Sequence, residues 1–123
     1  MVVGVGTDLV DLDRFRQAAE RTPGILTRYF TADEQAYAER RGDPTERYAA
    51  RFAAKEAVMK ALGVGLGACE LADIEVVRDE DSGAPDLRLH GKAAALADER
   101  GVTAWRISLT HTDTAAHAIV IAV

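Results

Sequence analysis

The sequence has few residues of several kinds, and each shortage excludes a class of protein. Cys69 is the only cysteine among 123 residues, so neither an internal disulfide nor a metal site built from cysteines is possible. No apolar run approaches the roughly 18 residues that a membrane span needs. The segment before Asp8 lacks the positive charge of a signal peptide. We therefore predict a cytoplasmic protein that does not enter a membrane.

Positive charge is also in deficit, with 15 Lys and Arg residues against 20 Asp and Glu residues. The net charge of −5 argues against binding to nucleic acid, which needs a basic surface. The basic residues are concentrated between Arg14 and Lys60, which favours an anionic ligand or partner for that half of the chain. The length and the 48% hydrophobic content predict one domain that spans residues 1–123.

The most informative segment is the alanine-rich stretch Arg51–Gly63. Its composition predicts part of a helix that begins at Thr45 and ends at Leu62, with Gly63 where the helix should stop. Apolar side chains point in almost every direction around this helix. We therefore expect it to be buried nearly all round.

This predicted helix nevertheless carries Arg51, Lys55, Glu56 and Lys60. Buried charges are costly unless they are paired, bind a metal or contact a ligand. Glu56 and Lys60 are four residues apart on one stripe with Phe52, so a carboxylate and an ammonium can contact the same ligand. An internal ion pair is the alternative, but the density of charge favours a site.

The rest of the chain predicts an α+β fold with an antiparallel sheet packed around the long buried helix, because the helices are followed by hairpin-connected strands. Thr31 and Glu34 have the spacing of a helix capping box. The predicted strands are Val2–Val10, Ile74–Arg78, Asp86–His90, Thr103–His111 and Ala115–Val123. The other predicted helices are Leu12–Arg21, Thr31–Arg40 and Gly91–Arg100.

Several positions have both a structural and a functional interpretation. Gly4, Gly6 and Asp8 share one face of the first strand, where two missing side chains leave room for something bulky beside the carboxylate. Asp8 could instead begin the turn into the next helix. His111 ends an apolar row, where a histidine is usually structural. The glycine loop 63–67 either stops the helix or contacts phosphate through backbone amides.

Asp8 and Glu56 are candidates for chemistry. Two carboxylates with further coordination positions open suit Mg²⁺ and substrate phosphates, although a paired-carboxylate hydrolase would use the same residue types. We expect Arg51, Lys55 and Lys60 to keep Glu56 ionised and to attract anionic ligands. A phosphate site with a divalent metal is therefore the better interpretation.

Three motifs resemble those of the holo-acyl-carrier-protein synthases, which are small 4′-phosphopantetheinyl transferases. The first is Gly4–Asp8 (GVGTD), followed by Asp13-Arg14-Phe15. The second, residues 51–63 (RFAAKEAVMKALG), is very specific, and the third is Ser108–Thr112 (SLTHT). They occur in the family's order and the similarity covers essentially the whole chain.

The resemblance implies transfer of 4′-phosphopantetheine from coenzyme A to a serine of apo-acyl carrier protein, for fatty acid synthesis, with release of adenosine 3′,5′-bisphosphate. Asp8 and Glu56 would hold Mg²⁺ on the pyrophosphate, and Lys60 would neutralise charge that develops on the transferred phosphate. The coenzyme A contacts that the resemblance implies are Arg51, Phe52, Lys55, Lys60, Gly63, His111 and Thr112.

The base that accepts the serine proton stays open at this point. Some family members have an aspartate where this chain has Gln35 and Ala36. The candidates are Glu56, a water bound to the metal, or a nearby acid such as Asp33 or Glu34.

The resemblance also implies a homotrimer whose active sites are shared between neighbours, with Ser108–Thr112 supplying a second wall. Acyl carrier proteins are acidic, so an acidic enzyme needs a local basic patch to bind one. Arg14 and Arg21 lie on one face of the first predicted helix, seven residues apart. Arg28 joins them only by resemblance.

Two other classes of function remain open. One is a coenzyme A or nucleotide-binding module, or a regulatory partner of carrier proteins, without catalysis, and the other is a structural α+β domain. Asp8, Glu56 and Lys60 are all present, and a binding module would need the phosphate contacts but not both carboxylates. This combination favours the enzyme.

Overall fold

The computed structural model describes all of residues 1–123 as five helices, five strands and one 3₁₀ turn. In chain order the elements are β1 (Gly4–Asp11), α1 (Leu12–Arg21), α2 (Gly24–Tyr29), α3 (Ala32–Ala38), α4 (Thr45–Leu62), the 3₁₀ turn (Leu71–Asp73), β2 (Ile74–Arg78), β3 (Pro85–Leu89), α5 (Gly91–Glu99), β4 (Trp105–His111) and β5 (Ala115–Ala122). None of the helices combines the length and the hydrophobicity of a transmembrane segment.

The strands form two antiparallel sheets. In the larger sheet β5 lies between β1 and β4, and in the smaller one β2 pairs with β3. Helix α4 packs against β1 and β5 and contributes to both hydrophobic clusters of the core. The predicted α+β fold around a long buried helix is confirmed, although the strands are divided between two sheets.

Helix α4 has the predicted bounds and the predicted burial. Thirteen of its 18 residues are buried, and Gly63 ends it in the left-handed conformation with φ 72°. In its last three turns only Phe52, Glu56 and Lys60 are not buried. The stripe proposed from sequence is therefore the accessible side of these last three turns.

The glycines of β1 explain why its strand lies so close to α4. A Cβ added at Gly4 would overlap the carbonyl oxygen of Ala61, and one added at Gly6 would overlap that of Ala57. The bulky group that the two glycines admit is thus the backbone of α4 itself. Asp8 continues the same face of β1 and reaches the solvent-accessible stripe of the helix.

The smaller differences from prediction lie at element ends and in short elements. Thr31 and Glu34 form the predicted capping box, but α3 ends at Ala38, before Arg40. Helix α2 was not predicted, because Pro23-Gly24 indicated only a break, and the 3₁₀ turn was not predicted either. These short elements are stabilised by tertiary contacts that local sequence does not show.

Candidate active site

The junction of β1 and α4 brings Asp8 together with Lys60. The Lys60 Nζ donates to Asp8 Oδ1 at 3.1 Å and to the carbonyl oxygen of Thr7 at 2.9 Å. The Lys60 side chain is 55% exposed, so its ammonium remains accessible to an anion. Residues 52 positions apart in sequence therefore meet at one place.

Glu56 lies one helical turn before Lys60 and faces the same junction. Its pKa is raised, first by burial and then by the charge of Asp8, whereas Lys60 lowers it. This corrects the expectation that Arg51 and Lys55 also keep Glu56 ionised, because neither contributes to the shift. The two carboxylates are close enough to repel each other, and a bound cation would relieve that repulsion.

The donor set at this junction fits a divalent cation of the magnesium type. Asp8 and Glu56 offer carboxylate oxygens, the ligands that Mg²⁺ prefers. No third His, Cys, Asp or Glu lies close enough to complete a cluster with them. The pair could therefore hold a cation that takes its remaining ligands from water and substrate phosphate.

A cavity of about 670 Å³ opens beside the two carboxylates. It is lined mainly by apolar side chains, among them Phe15 of α1 and Phe52 of α4, and it also contains Arg14. The cavity therefore connects Asp8 and Glu56 to the helix on which the basic patch was predicted.

A second cavity, of about 300 Å³, brings together two residues that the sequence assigned to coenzyme A binding. Arg51 and His111 come from distant motifs, yet both line it. The His111 Nε2 lies 3.3 Å from Glu46 Oε1. The other arginines of this cavity, which the sequence analysis missed, are Arg41, Arg47 and Arg78.

The two cavities lie on different sides of α4 and share no lining residue. Arg51 and Glu56 are five residues apart, which separates their directions by about 140° around a helix. Within this chain, the arginine-rich cavity and the carboxylate pair therefore do not form one continuous site.

Comparison with known families identifies the same family that the three sequence motifs resemble. A sequence profile described as the 4′-phosphopantetheinyl transferase superfamily matches residues 4–121.

The chain belongs to this superfamily.

Its relatives within the superfamily match along almost the whole chain. It is 50% identical over 121 residues to a holo-[acyl-carrier-protein] synthase of Frankia casuarinae, covering 98% of this chain and 97% of that protein. The crystal structure of the synthase from Neisseria meningitidis superposes with a TM-score of 0.89 at 30% identity, covering 99% and 98% of the two chains. The crystal structure of the Helicobacter pylori synthase in complex with coenzyme A superposes with a TM-score of 0.84 at 26% identity. The match covers 97% of this chain and 99% of that chain.

In this member of the superfamily, Lys55 does not reach a ligand cavity. Its side chain has no exposed surface, and its Nζ donates to Glu34 Oε1 at 2.8 Å and to the carbonyl oxygens of Leu71 at 3.0 Å and Ile74 at 2.6 Å. All three ammonium protons therefore have acceptors inside the protein. The structure corrects the assignment of Lys55 as a coenzyme A contact and makes it the centre of a buried network.

Glu34 is removed from the candidate bases by the same network. Its side chain is fully buried, one oxygen accepts from Lys55 and from the Thr31 N–H, and the other accepts from the Val76 N–H. Asp33, by contrast, is exposed. A carboxylate with so many internal donors is not free to take a proton from a substrate.

Gly63 and Thr112 have structural roles in their loops. The Gly63 N–H donates to the carbonyl oxygen of Lys60, so the glycine loop acts as a helix stop. The Thr112 Oγ1 accepts from the N–H groups of Thr114 and Ala115 and fixes the β4–β5 turn beside His111. Their roles as direct ligand contacts stay predictions.

The three arginines of the predicted docking face are all exposed. Arg14, Arg21 and Arg28 have no carboxylate within ion-pair distance. Asp13, on the same helix, is paired with Arg16 at 2.8 Å. Its charge is therefore not paired with any of these three arginines.

Proposed function

We propose that this protein transfers the 4′-phosphopantetheine group of coenzyme A to a serine of apo-acyl carrier protein and releases adenosine 3′,5′-bisphosphate. The observation that carries the proposal is the meeting of Asp8, Glu56 and Lys60 beside an open cavity, in a chain whose relatives are named holo-[acyl-carrier-protein] synthases. A role in fatty acid synthesis, a cytoplasmic location and a single domain over residues 1–123 belong to the same proposal.

The carboxylate pair and Lys60 have separate tasks in this reaction. Asp8 and Glu56 would hold Mg²⁺, which supplies positive charge at the pyrophosphate when it is bound. Lys60 places an accessible ammonium where negative charge develops on the transferred phosphate, and phosphoryl transfer depends mainly on such positioning and charge stabilisation. With Glu34 excluded as the base, Glu56, a water bound to the metal and the exposed Asp33 are the remaining candidates to accept the serine proton.

The two cavities would bind different parts of coenzyme A. The arginine-rich cavity with Arg51 and His111 suits the phosphorylated nucleotide, because guanidinium groups bind phosphate in two-pronged contacts. Phe52 lines the larger cavity and can contact the uncharged pantetheine arm.

A second copy of the chain would join these two halves of the site. One coenzyme A molecule must reach both cavities, and the two face different sides of α4 in one protomer. The outer face of the β1–β5 sheet also leaves Val3, Val5, Leu9 and Ile119 between 39% and 70% exposed. Apolar patches of this kind mark interfaces. We therefore propose a homotrimer in which one subunit supplies the carboxylates and its neighbour the arginine-rich cavity.

Mixed oligomers test the shared site. Glu56→Ala and the double variant Arg47→Ala/His111→Ala should each be poorly active alone. Unfolding and refolding the two together should restore activity, because some interfaces then combine an intact carboxylate pair with an intact arginine-rich cavity. Light scattering gives the oligomeric state of each preparation. No recovery in mixed oligomers, or a fully active monomer, would contradict the shared site.

Lys60→Ala is expected to lower kcat by about 100-fold and to weaken coenzyme A binding by much less, because the ammonium matters most in the transition state. Steady-state kinetics and calorimetric titration with coenzyme A separate the two effects. Lys92→Ala removes an exposed lysine from α5, away from the carboxylate pair, and controls for the change in net charge. Equal losses in kcat and in binding would reduce Lys60 to a ground-state phosphate contact.

The double variant Arg14→Glu/Arg21→Glu is expected to raise the KM for the carrier protein by about tenfold or more at low salt, and to weaken coenzyme A binding by much less, because Arg14 lines only the cavity for the uncharged arm. Added salt should shrink the difference between variant and wild type, because it screens exposed charges. Arg14→Glu and Arg100→Glu, compared as single variants, give one charge reversal inside the patch and one outside it, at the end of α5. A normal carrier KM at low salt would place the docking surface elsewhere.

Mass spectrometry of the carrier protein tests the function itself. Apo-acyl carrier protein incubated with this protein, coenzyme A and Mg²⁺ should gain the mass of one phosphopantetheine group on its serine, with one adenosine 3′,5′-bisphosphate released per transfer. Binding of coenzyme A without any gain in carrier mass would instead support the binding-module alternative. The absence of any coenzyme A affinity would support a structural domain.

A further inference from the structure

Tyr37, on α3, is the point at which four arginines from three parts of the chain converge. The guanidinium carbons of Arg47 and Arg51 lie 4.1 Å and 4.2 Å from the centroid of its ring. Those of Arg40 and Arg78 lie at 5.5 Å and 5.8 Å. All four distances are within the range of cation–π attraction.

None of these four arginines has a carboxylate within 4 Å. Arg51 is the extreme case, because it is only 6% exposed and its buried Nε has no hydrogen-bond partner. Burial lowers its pKa, while Tyr37 and the charge of Glu34, which lies beyond ion-pair distance, raise it. A buried cation with no carboxylate in direct contact is costly, so the cluster needs both an attraction that holds it together and an anion that completes it.

The ring of Tyr37 supplies the attraction that holds the arginine cluster together. It is half-buried, and Arg47 also donates from Nη1 to the Tyr37 carbonyl oxygen at 2.8 Å, which ties α4 to the end of α3. Tyr37, Arg47, Arg51 and Arg78 line the same arginine-rich cavity as His111. A ring that attracts these three guanidinium groups sets their directions before a phosphate arrives.

We propose that Tyr37 is a positioning residue for the binding of coenzyme A: its aromatic face holds the arginine cluster ready for the phosphates of the nucleotide. The inference rests on the proposed function. Preordering the cluster reduces the side-chain entropy that binding would otherwise cost. Tyr37 therefore acts on the affinity for the nucleotide and not on the transfer step.

Two substitutions at this position separate the ring from the hydroxyl. Tyr37→Leu is expected to raise the KM for coenzyme A and the Kd for adenosine 3′,5′-bisphosphate, measured by calorimetry, by about tenfold. The kcat at saturating coenzyme A should stay within about twofold of wild type, because the carboxylate pair is untouched. Tyr37→Phe keeps the ring and should restore both constants to within about twofold of wild type.

The controls distinguish failure of this inference from failure of the proposed function. If the wild-type protein transfers nothing to a carrier protein, the proposed function fails; if it is active and Tyr37→Leu leaves both KM and Kd unchanged, only the role of Tyr37 fails. The proposed role of Tyr37 would also be overturned if Tyr37→Leu lowered kcat without changing KM. The same holds if Tyr37→Phe bound coenzyme A as weakly as Tyr37→Leu. Urea unfolding checks that each variant is folded, and Tyr37→Met replaces Tyr37→Leu if the latter does not fold.

Discussion

Glu56→Gln is expected to lower the rate of phosphopantetheine transfer by at least about 100-fold, and Asp8→Asn by a similar factor. Each substitution removes the charge of one proposed metal ligand but keeps the shape of the side chain. Transfer rates measured at limiting Mg²⁺ give the size of the loss. A wild-type rate from either variant under these conditions would remove the carboxylate pair from the mechanism.

The stability of Glu56→Gln is expected to move in the opposite direction from its activity. The folded protein raises the pKa of Glu56, so folding favours the protonated form, and this carboxylate costs stability at every pH above its folded pKa. At neutral pH and without metal, the neutral glutamine should therefore unfold at the same or a slightly higher urea concentration than wild type. A large loss of stability would mean that low activity reflects unfolding.

Lys55→Met is expected to lower the free energy of unfolding by about 3–5 kcal/mol, because it leaves a buried carboxylate without its cation. Glu34 would lose its partner, and the carbonyl oxygens of Leu71 and Ile74 would lose their donor. Such a loss is a large part of the total stability of a typical domain. Urea unfolding at low temperature measures it.

The double variant Lys55→Met/Glu34→Gln serves as the control for this network. Removing both charges should cost less than the sum of the two single losses, because neither charge is then left unpaired. If Lys55→Met kept wild-type stability but bound coenzyme A weakly, the original assignment of Lys55 to the ligand would be right and the structural role wrong.

The sequence was sufficient for α4 and for the stripe that reaches solvent. Periodicity places Phe52, Glu56 and Lys60 on one line, and helix-stop chemistry places the end of the helix at Gly63. Both depend only on local spacing. The capping box at Thr31 and Glu34 was predicted for the same reason.

The partners of the buried charges could not be predicted in this way. Glu34 serves the capping box and also Lys55, 21 residues away, and nothing in local spacing shows the second contact. The arginine cluster likewise depends on how α3, α4 and β2 pack together. The motif resemblance implied Lys55 as a coenzyme A contact, but Lys55 points about 100° away from its neighbour Glu56 on the helix.

The glycines of β1 are a second case in which local sequence spacing did not reveal the contact partner. Their spacing indicated that something approaches this face closely, but only the fold shows that it is the backbone of α4. This contact carries Asp8 to the helix stripe and so creates the junction on which the proposed chemistry depends.

The dependence of carrier-protein modification on Mg²⁺ shows whether the Asp8 and Glu56 pair works as a metal site. Wild-type protein, apo-acyl carrier protein and coenzyme A are mixed with a metal chelator, sampled by mass spectrometry, and sampled again after an excess of Mg²⁺ is added. We expect an unmodified carrier before the addition and a carrier heavier by one phosphopantetheine group after it, with Glu56→Gln showing little change at either stage. Transfer that proceeds equally well in the chelator, or equally well in Glu56→Gln, would contradict this expectation.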